Sequence, residues 1–249
     1  METEEKLLLS RAEDTLWIAE KRYQPKTLGF LTPKERVFLQ RNLQVPTDMQ
    51  VFYDGGYEDA ERVLMVAAPE FCAPVREEYL TALVCTGREI DGLSHRDYLG
   101  SLMGLGIVRE SVGDILVGPE KTYLFIKPEQ TEYLLQNLTK IGRRGIHLAV
   151  CPADEIMVPE RETKEVNATV SSLRLDSVLS AAIGLARGKT AELICSGVVT
   201  VNWETEEAVS RILKEGDMIS ARGYGRMQLS HIGGLTRKGR QAITISRYI

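Results

Sequence analysis

Eight cations in the C-terminal part of the chain stand where phosphate could be gripped. Arg174 opens an Arg-Leu-Asp triplet that ends at Asp176, and Arg187 and Lys189 flank Gly188 in Ala-Arg-Gly-Lys. Arg222 and Arg226 bracket Gly-Tyr-Gly, and Arg237, Lys238 and Arg240 share a second glycine-hinged basic run. A guanidinium offers a planar fork of donors that matches two phosphate oxygens. At a helix start it joins backbone N–H groups and a dipole that already favour an anion. A solvated charged face is the bland alternative for any basic run. An anionic partner is favoured over it because Met218 to the C-terminus holds six Lys and Arg and no Asp or Glu.

Catalytic and metal chemistry find little support. Ser94-His95-Arg96-Asp97 contains an acid and a base, but Ser94 as an N-cap with Asp97 three residues on accounts for it as a helix start. The four cysteines, at 72, 85, 151 and 195, have no close pair and no His at ligand spacing, so neither metal nor disulfide is expected. Gly55-Gly56 lacks the Lys and Ser/Thr of a phosphate loop and reads as a plain turn. His231-Ile232-Gly233-Gly234 imitates a nucleotide-binding signature of aminoacyl-tRNA synthetases but lacks the surrounding nucleotide domain. No catalytic residue, metal or cofactor is therefore expected.

The chain has 249 residues, 43% of them hydrophobic, enough for two or three small domains. No apolar run nears the roughly 20 residues of a membrane span, and the N-terminus is acidic where a signal peptide would be basic. A soluble, cytoplasmic monomer is expected. The net charge of −4 conceals a split: eleven Lys and Arg face eight Asp and Glu from residue 165 on, whereas the preceding part carries twenty against twenty-seven. A basic C-terminal face on an acidic body follows.

The elements that must position the cations are two short helices and a strand. Leu175, Val178, Leu179 and Ala182 fall at i, i+3, i+4 and i+7, a single apolar stripe ended by Gly184. A second helix follows Arg187, turns Leu193 and Ile194 inward and stops at Gly197, after which Val198 to Val201 read as a strand. Upstream, residues 1–70 read as a mainly helical domain with Trp17 and Phe38 as core anchors and one strand at Val63–Val66. Residues 75–155 read as strand 80–85, helix 94–103, strands 114–117 and 122–126, helix 130–140 and strand 147–151. That is a ferredoxin-like βαββαβ order also used by RNA-recognition modules. Tyr123 and Phe125 share one face of a strand, where packing is weighed against base stacking. Residues 152–166 read as a charged linker, and 241–248 as a closing strand of the domain at 165–249. The fold class is α+β.

Several of these residues carry a resemblance. Arg174-Leu175-Asp176, Ala186-Arg187-Gly188-Lys189, Glu192-Leu193-Ile194, Gly197-x-Val199-x-Val201-Asn202 and Gly216-Asp217 resemble the S4 RNA-binding domain. The departures are Ala186 and Trp203, where that family usually has Ser and Gly. Over its full length the chain is similar to the YlmH-type S4-domain proteins of bacteria. Here the matching residues are Gly55-Gly56-Tyr57-x-Asp59-Ala60-Glu61-Arg62, the run Ser94 to Gly100, Leu105-Gly106, Gly113-Asp114-Ile115 and Val201-Asn202-Trp203. The resemblance implies a helical N-terminal domain, an RNA-recognition-like middle domain, and an S4 domain that docks on the large ribosomal subunit. It also implies contact with ribosomal RNA and tRNA in quality control of stalled complexes holding peptidyl-tRNA. The runner-up is an S4-guided RNA-modifying enzyme of the pseudouridine synthase or methyltransferase class. Against it, the only Arg-Leu-Asp triplet already opens the first S4 helix, and no glycine-rich cofactor loop is present. A protein-interaction adaptor is a third reading.

Overall fold

The computed structural model describes residues 3–159 and 163–248, which form two compact units divided between Pro159 and Glu160. Met1 and Glu2, part of the acidic start, and residues 160–162, part of the expected linker, lie outside the described residues. The two stretches read as separate domains, 1–70 and 75–155, fall within one unit.

That unit begins with α1 (Thr3–Arg22), β1 (Lys26–Leu31), α2 (Pro33–Asn42), β2 (Met49–Asp54) and β3 (Val63–Pro69). The strands pair antiparallel in the order β1-β3-β2, so a three-stranded sheet accompanies the two helices where the sequence suggests a single strand. Each outer strand is only six residues long, and the short runs Lys26–Leu31 and Met49–Asp54 show no clean alternation. Ala12, Leu16 and Ala19 form the buried stripe of α1, while Trp17, expected as a core anchor, is 59% exposed. Thr32 and Glu35 close a capping box around Pro33, which fixes the start of α2. All seven residues of β3 are buried because the strand is covered twice. Met65 and Ala67 join the helix-side core with Leu16 and Leu39, and Leu64 and Val66 join a second core on the opposite face.

The second core is shared with the middle stretch. Its elements are β4 (Thr81–Thr86), α3 (His95–Gly104), β5 (Val112–Val117), β6 (Thr122–Ile126), α4 (Thr131–Asn137), β7 (Lys140–Ile141), β8 (Arg144–Gly145) and β9 (His147–Val150). The main sheet is antiparallel with order β5-β6-β4-β9, and β7 and β8 form a separate hairpin. Helix α4 therefore stops short of Lys140, the end expected for it. Leu83, Leu124 and Ile126 pack on one sheet face with Tyr98, Leu102 and Leu134 from the two helices. Ala82, Tyr123 and Phe125 occupy the other face with Phe30, Leu64 and Val66. Tyr123 and Phe125 are 2% and 0% exposed, so packing accounts for both.

The second unit contains β10 (Thr163–Val170), α5 (Leu175–Ile183), α6 (Arg187–Cys195), β11 (Val199–Val201), β12 (Glu204–Thr205), β13 (Met218–Ala221), β14 (Gly225–Leu235) and β15 (Gln241–Tyr248). The strands make one antiparallel sheet in the order β10-β15-β14-β13-β11-β12. Leu175, Val178, Leu179 and Ala182 of α5 and Ile194 of α6 pack on its apolar side, against Ile219, Met227, Leu229, Ile243 and Ile245. The expected linker is overturned from Thr163 onward, since β10 pairs residue by residue with β15 through the whole of Thr163–Val170. Gly184, at φ 71°, caps α5 in the left-handed region.

Candidate RNA interface

The first turns of α5 and α6 are tied together by one carboxylate. Asp176, in the first turn of α5, is 6% exposed. Its Oδ1 accepts from Arg174 Nε at 3.1 Å, and its Oδ2 accepts from Arg174 Nη2 at 3.3 Å and Arg187 Nη2 at 2.6 Å. Burial alone would raise the Asp176 pKa. The hydrogen bonds and charges of the two arginines outweigh it and hold the carboxyl below its ordinary value. The arrangement is one anion between two cations, a net positive group. Arg187 keeps 52% of its side chain exposed and Arg174 keeps 36%. A guanidinium carries five N–H donors, so Arg187, with one on Asp176, retains donors for a phosphate. Lys189 follows on the exposed start of α6.

The remaining predicted cations lie elsewhere on the unit. Arg222 is exposed in the β13–β14 turn, and its backbone N–H donates to Val198 O, just beyond the C-terminal end of α6. Arg187 opens that nine-residue helix, which is roughly 13 Å long, so the two are at opposite ends of it. Arg226, on β14, faces Ser220 across the same hairpin. Arg237, Lys238 and Arg240 are exposed around the β14–β15 turn, where the Arg240 guanidinium reaches back to Thr169 O on β10. The eight residues thus form three groups, at the α5/α6 starts and at two hairpin turns. Arg247, not among them, donates to Ala182 O at 3.4 Å and Tyr224 O at 3.2 Å and so helps close the end of α5.

The other sequence candidates make local contacts. Asp97 Oδ2 accepts from Ser94 N and Oγ at 2.8 and 2.6 Å, a helix-start capping box. His95 is held below its ordinary pKa by burial and by Arg109. His231-Ile232-Gly233-Gly234 lies inside β14, and His231 Nδ1 is 3.3 Å from Glu215. Gly56, at φ 94°, donates its N–H to Asp54, and a Cβ there would stand 2.5 Å from the Phe125 ring.

Residues from distant parts of the first unit meet at Asp114, on β5. It accepts from Tyr57 OH at 2.7 Å, Glu61 N at 2.7 Å and Arg62 N at 3.2 Å. Arg62 in turn donates to Phe30 O at 2.6 Å and Val112 O at 3.2 Å. Burial, then the neighbouring Arg62 charge, pushes Arg109 down to about 10. These groups lock the N-terminal sheet to the middle sheet. No spacing rule could have paired residues so far apart in sequence.

Residues 76–155 match a family model described as "Putative RNA-binding domain in YlmH". Across 246 residues the chain is 32% identical to "Ribosome-associated protein quality control protein P2" of Bacillus subtilis (strain 168), covering 98% of this chain and 95% of that relative. A solved structure, "Cell division protein ylmH from Streptococcus pneumoniae", superposes with a TM-score of 0.52 at 19% identity. That likeness covers 63% of this chain and 96% of the other, and it shows a shared mixed α/β fold. With a relative of this identity along nearly its whole length and the matching module at 76–155, the chain belongs to the YlmH family.

Proposed function

We propose that the protein is a non-catalytic, cytoplasmic RNA-binding factor that acts as a monomer. In this reading residues 165–249 are an S4 domain, and it docks on ribosomal RNA and tRNA of the large ribosomal subunit during quality control of stalled peptidyl-tRNA complexes. The observation that carries the reading is the buried Asp176 carboxylate with Arg174 and Arg187 fixed on it, both guanidiniums partly open to solvent. A carboxylate so placed orients two forks without cancelling their charge, and pre-orientation lowers the entropy lost when phosphate is bound. Lys189 and the hairpin cations Arg222, Arg226, Arg237, Lys238 and Arg240 extend the positive surface. The full-length relative named for ribosome-associated quality control supports the setting. Sucrose-gradient fractionation of cells stalled in translation tests this. The protein should co-migrate with free large subunits, and its confinement to the top of the gradient would remove the ribosomal reading.

A further inference from the structure

Both faces of the β5-β6-β4-β9 sheet are closed, by α3 and α4 on one side and by the N-terminal sheet on the other. A module that matches an RNA-binding family at residues 76–155 must therefore meet RNA outside its sheet faces. The geometry points to the β7–β8 hairpin: RNA phosphate is taken by Lys140 and Arg143. This site rests on the RNA-binding reading above and lies apart from the α5/α6 arginines that carry it.

Three observations single the hairpin out. In a chain with 35 Asp and Glu, no acid occurs from Tyr133 to Ala153, and the cations of that stretch are Lys140, Arg143 and Arg144. Pairing of Lys140 with Gly145 and Ile141 with Arg144 leaves Gly142 and Arg143 as a two-residue turn, with Gly142 at φ 58°. Side chains directly opposite one another share a face, so Ile141 and Arg144 point one way and Lys140 the other. Ile141 is fully buried and Lys140 and Arg143 are exposed, so the first face is inward, the second outward, and Arg143 is the tip.

The inward face fixes the hairpin. Arg144 donates to Glu89 O, stands 3.9 Å from Asp91 and lies over Gly92, where a Cβ would be 3.0 Å from both its Nη atoms. Gly142 N donates to Ser101 Oγ of α3 at 3.4 Å. Among the described residues, three carboxylates adjoin the site. Asp91 faces Arg144, Asp97 is held by the α3 cap, and Glu89 is exposed beside Arg88. Among the described residues Lys140 and Arg143 have no ion-pair partner, so their charge is directed at solvent. The hairpin is thus a rigidly mounted, outward pair of cations, which suits an RNA backbone more than a base edge.

The test compares the full-length wild-type chain with a Lys140→Gln/Arg143→Gln double variant on purified large subunits and on protein-free RNA extracted from them, over a salt series. Each lost phosphate contact flattens the log–log salt dependence by about 0.7 to 0.9, so the double variant should be shallower by about 1.4 to 1.8. Its melting temperature should not move, and Lys140→Arg/Arg143→Lys should keep the wild-type slope whatever the folding of the first variant. Wild-type slope and affinity in the Gln variant on both probes overturn the hairpin site, with the S4 reading intact if Arg187→Ala still weakens binding. Loss of subunit binding without any change on protein-free RNA also overturns it, in favour of an acidic ribosomal protein. If the wild-type chain binds neither probe, the RNA reading itself falls and the hairpin site with it.

Discussion

Asp176 and Arg187 set the terms at the scale of single residues. Their types and positions at helix starts are legible in the sequence, and so is the structural role of an Asp176 that orients Arg174. That Arg187 shares the same carboxylate is not, because the contact spans eleven positions and two helices. Asp176→Asn keeps an acceptor but loses the charge that strengthens three hydrogen bonds. Charged hydrogen bonds contribute about 1.5–3 kcal/mol, so a loss of about 1–3 kcal/mol in thermal unfolding is expected. RNA affinity should fall less than in Arg187→Ala. The folded-state pKa of Asp176 is depressed, so its stabilisation is complete above the unfolded carboxylate value of about 3.9 and fades as pH drops through the lower folded value. The melting temperature of Asp176→Asn should therefore decline less steeply than wild type across that acidic window. Parallel decline in both proteins would remove Asp176 from the linkage.

Among the elements, the sheet of residues 81–150 decides what kind of RNA contact is open. Its alternation of strands and helices is readable because the strands at 81–86 and 122–126 are regular apolar runs bounded by turns. The N-terminal sheet that covers it is not, since β1 and β2 are short and irregular, and β7 and β8 are two residues each, too short for any period. Trp17 shows the same limit: it lies in a helix, but one position off the buried stripe set by Leu16 and Ala19. Phe125, wholly buried between the two sheets, should cost about 3–5 kcal/mol when changed to Ala. Chemical denaturation of the full chain reads this as a lower midpoint. If Phe125→Ala instead left stability unchanged and weakened RNA binding, the face would be open and base stacking restored. Gly56→Ala should destabilise too, because at φ 94° the added methyl is strained and meets the Phe125 ring. A wild-type melting temperature for that variant would show the two sheets are not held this closely.

For the whole molecule, charge is divided as the fold is. The acidic excess lies in the first 164 residues and the basic excess beyond, so the −4 total masks a second unit of net positive charge. Composition by region is enough to reveal this division, whereas the grouping of cations into three sites depends on the sheet order and the hairpin turns. Binding to large subunits should weaken steeply between low and physiological salt, and a flat response would exclude phosphate as the main contact. The most direct test of the central claim is the large-subunit affinity of Arg187→Ala and Arg187→Lys, measured with melting temperatures on the same preparations. Loss of one charged hydrogen bond to phosphate, about 1.5–3 kcal/mol, predicts binding weaker by about ten- to a hundredfold for Ala, with Lys in between. Arg174 remains on Asp176, so the melting temperature should fall only by a few degrees at most. Wild-type affinity in a folded Arg187→Ala protein would contradict docking through the α5/α6 arginines.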